Sequence, residues 1–107
     1  MTIKRRQLIL VQLRKELTRV LGRQLVRVVL YGSQARGEAR EDSDMDVLVV
    51  VRGKFDYGDL MRRTSELVSA LSLEHDIVIS RVFVSDEEYE RGCSPFFLNV
   101  RREGVPL

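Results

Sequence analysis

The chain has 107 residues, of which 44% are hydrophobic, and this length and composition predict one small globular domain covering residues 1–107. Its 18 basic and 16 acidic side chains leave a net charge of only +2, which is too small to favour direct binding to nucleic acid. A single cysteine excludes an intramolecular disulfide, and no N-terminal run has the apolar length of a signal peptide or membrane span, so the expected location is the cytoplasm.

The first third of the chain has the pattern of a helix followed by a strand. Apolar residues recur at helical spacing from about Thr2 to Leu21, and Gly22 supplies a stop. Leu25–Tyr31 is rich in β-branched residues and predicts a strand that ends abruptly at Gly32. A short helix is expected over Ser33–Glu38.

The middle of the chain predicts a buried strand, a long helix and a third strand. Met45–Val51 is apolar at every position except Asp46, as in a central strand that is covered on both faces. Asp56 is a suitable N-cap for the following helix, and Asp76–Val84 is expected to be the third strand. The helix itself is predicted from an apolar stripe formed by Leu60, Thr64, Leu67, Val68 and Leu71.

The last part of the chain predicts short helices. Ser85 and Glu88 have the spacing of a capping box, which starts a helix that runs to about Arg91. One or two helical turns are expected over Pro95–Val100, before a loose tail at Gly104–Pro106. The order of elements indicates an α/β fold with a small sheet of three or four strands, whose directions stay open.

Two acidic residues at the start of the buried strand are the strongest chemical signal. Asp44 and Asp46 are two residues apart, so their side chains leave the same face with Cα atoms roughly 6.5 Å apart. Two like charges buried so close together call for a cation, and oxygen ligands favour Mg²⁺ or Mn²⁺. A solvated acidic loop is the alternative, but the buried strand that follows favours a site.

Asp76 is a candidate third acid at the start of the next predicted strand. If the two strands are neighbours, three carboxylates surround two metal ions that promote in-line displacement at phosphorus, with Asp76 as general base or metal ligand. The alternative is an ordinary acid at a strand end. His75 has the opposite parity, so it is expected to face away from the site as a structural or surface histidine.

Gly32 and Ser33 stand where a strand gives way to a helix, and free N–H groups at such a junction bind anions. The Ser33 hydroxyl adds a donor, and Arg36 is placed to neutralise phosphate charge. By themselves, the Gly-Ser pair also fits a plain turn, and Arg36 also fits a surface position.

Taken together, Gly32-Ser33, a ten-residue spacer and Asp44-Met45-Asp46 resemble the signature of the nucleotidyltransferase superfamily that includes DNA polymerase beta. The longer strings Gly32–Glu38 and Ser43–Val49 resemble its minimal branch, the MNT proteins. The similarity extends over most of the chain.

This resemblance implies a nucleotidyltransferase fold with a small mixed sheet flanked by helices. It also implies that Asp44 and Asp46 bind Mg²⁺, that Asp76 is the third acid, and that Gly32 and Ser33 hold the triphosphate of ATP. Minimal members are typically encoded beside a HEPN-domain toxin, a ribonuclease, and act as its antitoxin by moving AMP from ATP to a toxin tyrosine. The lack of a second domain for an acceptor fits a protein substrate supplied by a partner.

Other functions stay open from the sequence. A binding module could block its toxin by docking alone, through the Phe96-Phe97 pair and three basic clusters that otherwise form solvated faces. The clusters are Lys4-Arg5-Arg6, Arg62-Arg63 and Arg101-Arg102. Transfer to a small molecule such as an aminoglycoside ranks lower, because so short a chain has no evident acceptor pocket.

Overall fold

A four-stranded mixed sheet carries helices on both faces. The computed structural model describes residues 2–32, 35 and 44–107. None of the helices in those ranges is long and apolar enough to cross a membrane. The strands are β1 (Leu25–Tyr31), β2 (Met45–Val51), β3 (Ile79–Ser85) and β4 (Val105–Pro106), and the helices are α1 (Ile3–Leu21), α2 (Tyr57–His75), α3 (Asp86–Arg91) and α4 (Pro95–Glu103), with a 3₁₀ turn at Gly22–Gln24.

The order of the strands across the sheet is β3-β2-β1-β4. β1 runs antiparallel to both β2 and β4, whereas β2 and β3 are parallel. A parallel pair needs a crossover connection, and α2 supplies it. The mixed sheet expected from the resemblance is confirmed.

Side chains of the central strand β2 alternate between two apolar layers. Val47 and Val49 pack on one face with α1 and α2, which we call the long-helix face. Leu48 and Val50 pack on the other with α3 and α4, the short-helix face. Every residue of β2 except Asp46 is buried, as predicted for a strand covered on both sides. By the same alternation, Asp46 lies on the short-helix face.

The predicted helix boundaries rest on caps that the structure confirms. Gly22 ends α1 with φ 55°, a conformation that favours glycine. The Asp56 carboxylate accepts a hydrogen bond from the Asp59 N–H at 3.0 Å and starts α2. Ser85 and Glu88 form the predicted capping box. All five residues of the predicted apolar stripe on α2 are buried.

The third strand begins at Ile79, so its predicted start at Asp76 was wrong. α2 continues through His75, and Asp76 is its C-cap in the left-handed conformation, with its N–H donating to the carbonyl of Ser72. Aspartate tolerates this conformation, and the last carbonyls of a helix need donors. His75 lies with Nε2 2.6 Å from Oε1 of Gln12, so it is a structural residue between α2 and α1.

The expected loose tail is also wrong, because Val105 and Pro106 form the edge strand β4. They pair with Leu30 and Val29 of β1, and the N–H of Leu107 donates to the next carbonyl of β1 at 2.9 Å. Proline is accepted here because an edge strand can leave one N–H position unused.

A polar contact joins β3 to α2 within the long-helix face. Arg81 donates from Nε to the hydroxyl of Thr64 at 2.7 Å and from Nη2 to the carbonyl of Met61 at 3.0 Å. The Thr64 hydroxyl in turn donates to the carbonyl of Leu60 at 2.8 Å. Burial lowers the pKa of Arg81. These directional bonds hold β3 at one position along α2.

Each basic cluster contains an arginine that donates to a backbone carbonyl of another element or connection. Arg5 donates to the last carbonyl of α2, Arg63 donates to a carbonyl of α1 at 3.0 Å, and Arg101 donates to two carbonyls around the α3–α4 connection at 2.6 Å each. These guanidinium groups therefore tie elements together, which the sequence alone did not indicate.

Gly104, between α4 and β4, is required by close packing. A Cβ at this position would lie 2.5 Å from Cγ1 of Val29 and would also overlap the carbonyl oxygen of Val100.

We therefore expect Gly104→Ala to reduce the free energy of unfolding by about 1–3 kcal/mol in urea denaturation. The matched control is Gly58→Ala in the first turn of α2, where the nearest atoms are 3.5 Å away. Helix propensity predicts a neutral or stabilising change there, of up to about 1 kcal/mol. An equal reduction in the free energy of unfolding in both variants would contradict the requirement for glycine at position 104.

Candidate active site

The two acidic residues predicted to form the site lie at one end of the sheet, at the start of β2. Asp44 is exposed and precedes the strand, and Asp46 is its second residue and partly buried. Asp46 has Tyr31 of β1 as its neighbour on one side and Ser80 of β3 on the other. The carboxylate therefore lies on the short-helix face of the sheet, between a phenol and a hydroxyl.

The surroundings of Asp46 disfavour the ionised form of its carboxyl group. Burial, and then the charge of Asp44, raise the pKa of the Asp46 carboxyl. Burial, followed by the charges of Asp46 and Tyr57, raises the pKa of the Tyr31 phenol. A bound cation would relieve both the desolvation of Asp46 and its repulsion by Asp44. The donors are carboxylate oxygens, which fit Mg²⁺ or Mn²⁺.

Gly32 passes directly over the carboxylate of Asp46. Its φ is 75°, and a Cβ there would lie 2.6 Å from Oδ2 of Asp46. Glycine is therefore required twice, for the backbone conformation and for the close approach. The structure thus brings Gly32 of the predicted phosphate turn against Asp46 of the predicted metal-binding pair.

Two other predicted site residues, Ser33 and Arg36, lie outside the described residues. So does the short helix predicted over Ser33–Glu38, apart from Ala35. Their roles stay predictions.

The structure places Asp76 at the end of α2 and not within the neighbouring strand. The parallel register sets Ser80 beside Asp46, and the N–H of Met45 donates to the carbonyl of Val78 at 2.9 Å. Within residues 2–32, 35 and 44–107, no group of three or more His, Cys, Asp or Glu side chains could hold a metal ion. The described part of the site therefore rests on the Asp44 and Asp46 pair, and the role of Asp76 as third acid stays a prediction.

The sequence did not predict the surroundings of Asp46. Tyr31 and Ser80 flank Asp46, and the ring of Phe96 in α4 meets the ring of Tyr31 edge to face, with 5.5 Å between centroids. The position of Tyr31 just before Gly32 was a usable signal, but its side relative to Asp46 depends on the strand register.

Similar proteins are nucleotidyltransferases by description or by name. Residues 10–101 match the model of a family described as the nucleotidyltransferase domain. A Methanocaldococcus jannaschii protein, MJ0604, provisionally named a protein adenylyltransferase, is 34% identical over 82 residues, which are 76% of each chain.

Solved structures share the fold. A chain described as a provisional minimal nucleotidyltransferase is 33% identical, with a TM-score of 0.58 and 94% of both chains covered. A chain of the toxin–antitoxin complex MntA-HpeT is 24% identical, with a TM-score of 0.58, 88% of this chain and 68% of that one covered. A toxin–antitoxin structure with AMP-PNP gives 20% identity, a TM-score of 0.57 and the same coverage.

Gly32→Ala tests the close approach to Asp46. We expect about 1–2 kcal/mol of destabilisation from the backbone conformation, further destabilisation from the overlap with Oδ2, and loss of Mg²⁺-dependent nucleotide binding. Gly53→Ala is the matched control, because φ is 68° there but a Cβ would meet nothing within 4 Å. It should show the conformational loss alone and keep nucleotide binding, as measured by urea unfolding and calorimetric titration. Equal nucleotide binding by the two variants would argue against the predicted role of the contact.

Asp46→Asn should stabilise the protein in the absence of divalent ions. Because the pKa of Asp46 is raised in the folded state, its ionisation opposes folding at neutral pH. We expect a gain of less than about 1 kcal/mol at pH 7, since the carboxyl is partly exposed. The gain should shrink as the pH falls through the folded and then the unfolded pKa, and vanish in acid.

The measurement is urea unfolding in the presence of a chelator over a series of pH values. Glu66→Gln, at an exposed position on α2, is the control and should change stability little at any pH. A loss of stability at pH 7 in Asp46→Asn would contradict the expected electrostatic penalty.

Proposed function

The chain belongs to the nucleotidyltransferase domain family, and we propose that it is a minimal nucleotidyltransferase that transfers AMP from ATP to a hydroxyl of a partner protein. One observation carries the proposal: the close turn at Gly32 lies against the carboxylate of Asp46 at the end of the sheet, where the charge of Asp44 also acts on that carboxylate. A carboxylate pair beside a glycine turn provides for a divalent cation and for phosphate in one place.

In this proposal, Asp44 and Asp46 hold Mg²⁺, with Mn²⁺ as an alternative, and Asp76 completes a site for two ions. When bound, the ions stabilise negative charge that develops on the phosphate oxygens. Gly32 lets the phosphates approach the backbone, the Ser33 hydroxyl donates to them, and Arg36 neutralises part of their charge.

The reaction moves one nucleotidyl group. The acceptor hydroxyl oxygen forms a bond to the α-phosphorus of ATP, and the bond from that phosphorus to the α,β-bridging oxygen breaks. Pyrophosphate leaves, and the hydroxyl proton passes to a general base, for which Asp76 is the proposed residue. The products are an AMP ester of the acceptor and pyrophosphate.

We propose a HEPN-type toxin as the partner and one of its tyrosines as the acceptor, so that the chain acts as an antitoxin. The names of the M. jannaschii relatives support a protein acceptor. The toxin–antitoxin structures, one with AMP-PNP, show that chains of this fold occur in such complexes. ATP and a toxin that cleaves RNA are both found in the cytoplasm, which is therefore the proposed location.

The test is to express the chain with the protein encoded by the neighbouring gene. We expect that protein to gain the mass of one or more AMP units, and to take label from ATP in the presence of Mg²⁺. A chain carrying Asp44→Asn and Asp46→Asn should lose at least about 100-fold in rate, because electrostatic stabilisation at the phosphate is removed. Glu66→Gln should transfer normally.

Two results would count against the proposal. Equal labelling by the wild type and the double variant would remove the assigned site. If the double variant still neutralises the partner, and the partner gains no mass with either the wild type or the double variant, the result would favour an antitoxin that acts by docking alone.

A further inference from the structure

An exposed aromatic side chain, Phe96, contacts the tyrosine that is the cross-strand neighbour of Asp46. Phe96 keeps 38% of its surface open to solvent, although it belongs to α4, which packs on the sheet. Its ring contacts Tyr31 edge to face, with centroids 5.5 Å apart and planes at 87°. It also contacts Phe97, with centroids 5.4 Å apart. The ring is thus supported by two aromatic neighbours and still offers free surface.

The position of this ring relative to the site follows from the strand register. Tyr31 is the residue before Gly32 and is paired with Asp46 on the neighbouring strand. The Cβ atoms of such cross-strand partners are about 5 Å apart. Phe96 therefore lies one ring beyond the side chain that borders the proposed metal and phosphate site.

Several contacts fix the start of α4, the helix that carries Phe96. Pro95 occupies the first turn of α4, and the Ser94 hydroxyl caps the helix by accepting from the N–H of Phe97. Arg101 holds the preceding connection through two carbonyls at 2.6 Å. Gly92 allows the Phe97 ring to pack against the chain, since a Cβ there would lie 2.5 Å from that ring. A preorganised ring loses little entropy on binding.

We propose that Phe96 is the platform on which the base of the nucleoside triphosphate stacks, with Tyr31 as its positioning residue. The inference rests on the proposed function, because it takes the phosphates to lie at Gly32 and the carboxylates. A base is tied through its ribose to the α-phosphate, so it must lie within a short distance of that turn. An apolar aromatic face suits a planar heteroaromatic ring, and stacking of this kind tolerates different bases.

The experiment compares two ligands that share their phosphates but differ in the base. Binding of ATP and of inorganic tripolyphosphate, each with Mg²⁺, is measured by calorimetric titration of the full chain. Phe96→Ala should weaken ATP binding about 5- to 30-fold and leave tripolyphosphate binding unchanged. Phe96→Leu, which keeps the apolar volume but removes the aromatic face, should behave like Phe96→Ala if both fold normally by circular dichroism.

Two controls define the comparison. Leu98→Ala removes an apolar side chain that is 52% exposed on the same helix, and it should change neither affinity. Phe96→Tyr keeps the aromatic face and should retain ATP binding within about twofold.

The outcomes separate this inference from the proposed function. If Phe96→Ala and Phe96→Leu bind ATP as tightly as the wild type, the platform is overturned, and a rise in KM for the protein acceptor alone would assign Phe96 to the partner instead. If Asp44→Asn with Asp46→Asn retains Mg²⁺-dependent binding of both ligands, or if the wild type binds neither, the proposed function fails and the platform fails with it. Loss of ATP affinity alone in the Phe96 variants supports the platform.

Discussion

The antiparallel pairing of β1 with β2 is the constraint on which the site depends. It places Tyr31 beside Asp46 and carries the chain at Gly32 across the same carboxylate, where a Cβ would lie 2.6 Å from Oδ2. A shift of one residue would turn Asp46 toward the long-helix face and separate it from the turn. The register is secure because such a shift would turn Asp46, the charged residue of β2, into the apolar long-helix face, where burial of an unpaired charge is costly.

One face of the sheet holds most of the core, and the other carries the candidate site. The long-helix face holds most of the apolar core and is tied together by Arg81 and Thr64, which fix β3 on α2. β3 pairs in parallel with β2, and in this register Ser80 flanks Asp46. The short-helix face is less covered toward the carboxylates, where Asp46, Tyr31 and Ser80 remain partly exposed. A stable layer on one side thus supports an accessible site on the other.

Charge at the site opposes folding, and the rest of the fold must offset it. Asp46 is partly buried beside Asp44, so its ionised form is disfavoured without a cation. Conversely, arginines from all three basic clusters strengthen the fold by donating to backbone carbonyls. In the sequence, the clusters looked like solvated or ligand-binding faces. A guanidinium group that donates to a backbone carbonyl elsewhere in the chain leaves no local sequence pattern.

By itself, the sequence determined the features that depend on local chemistry. Side-chain periodicity located α1, β1, β2 and the stripe of α2, capping residues located helix starts, and Gly32 with Asp44 and Asp46 indicated the site and the family. Tertiary structure alone decided the strand directions, the pairing of β4, the cap at Asp76, the placement of Tyr31 and Ser80 beside Asp46, and the contact of Phe96 with Tyr31. Those features depend on which backbone groups pair across the sheet and on how α4 packs over it. Such contacts join residues far apart in the chain and have no period in the sequence.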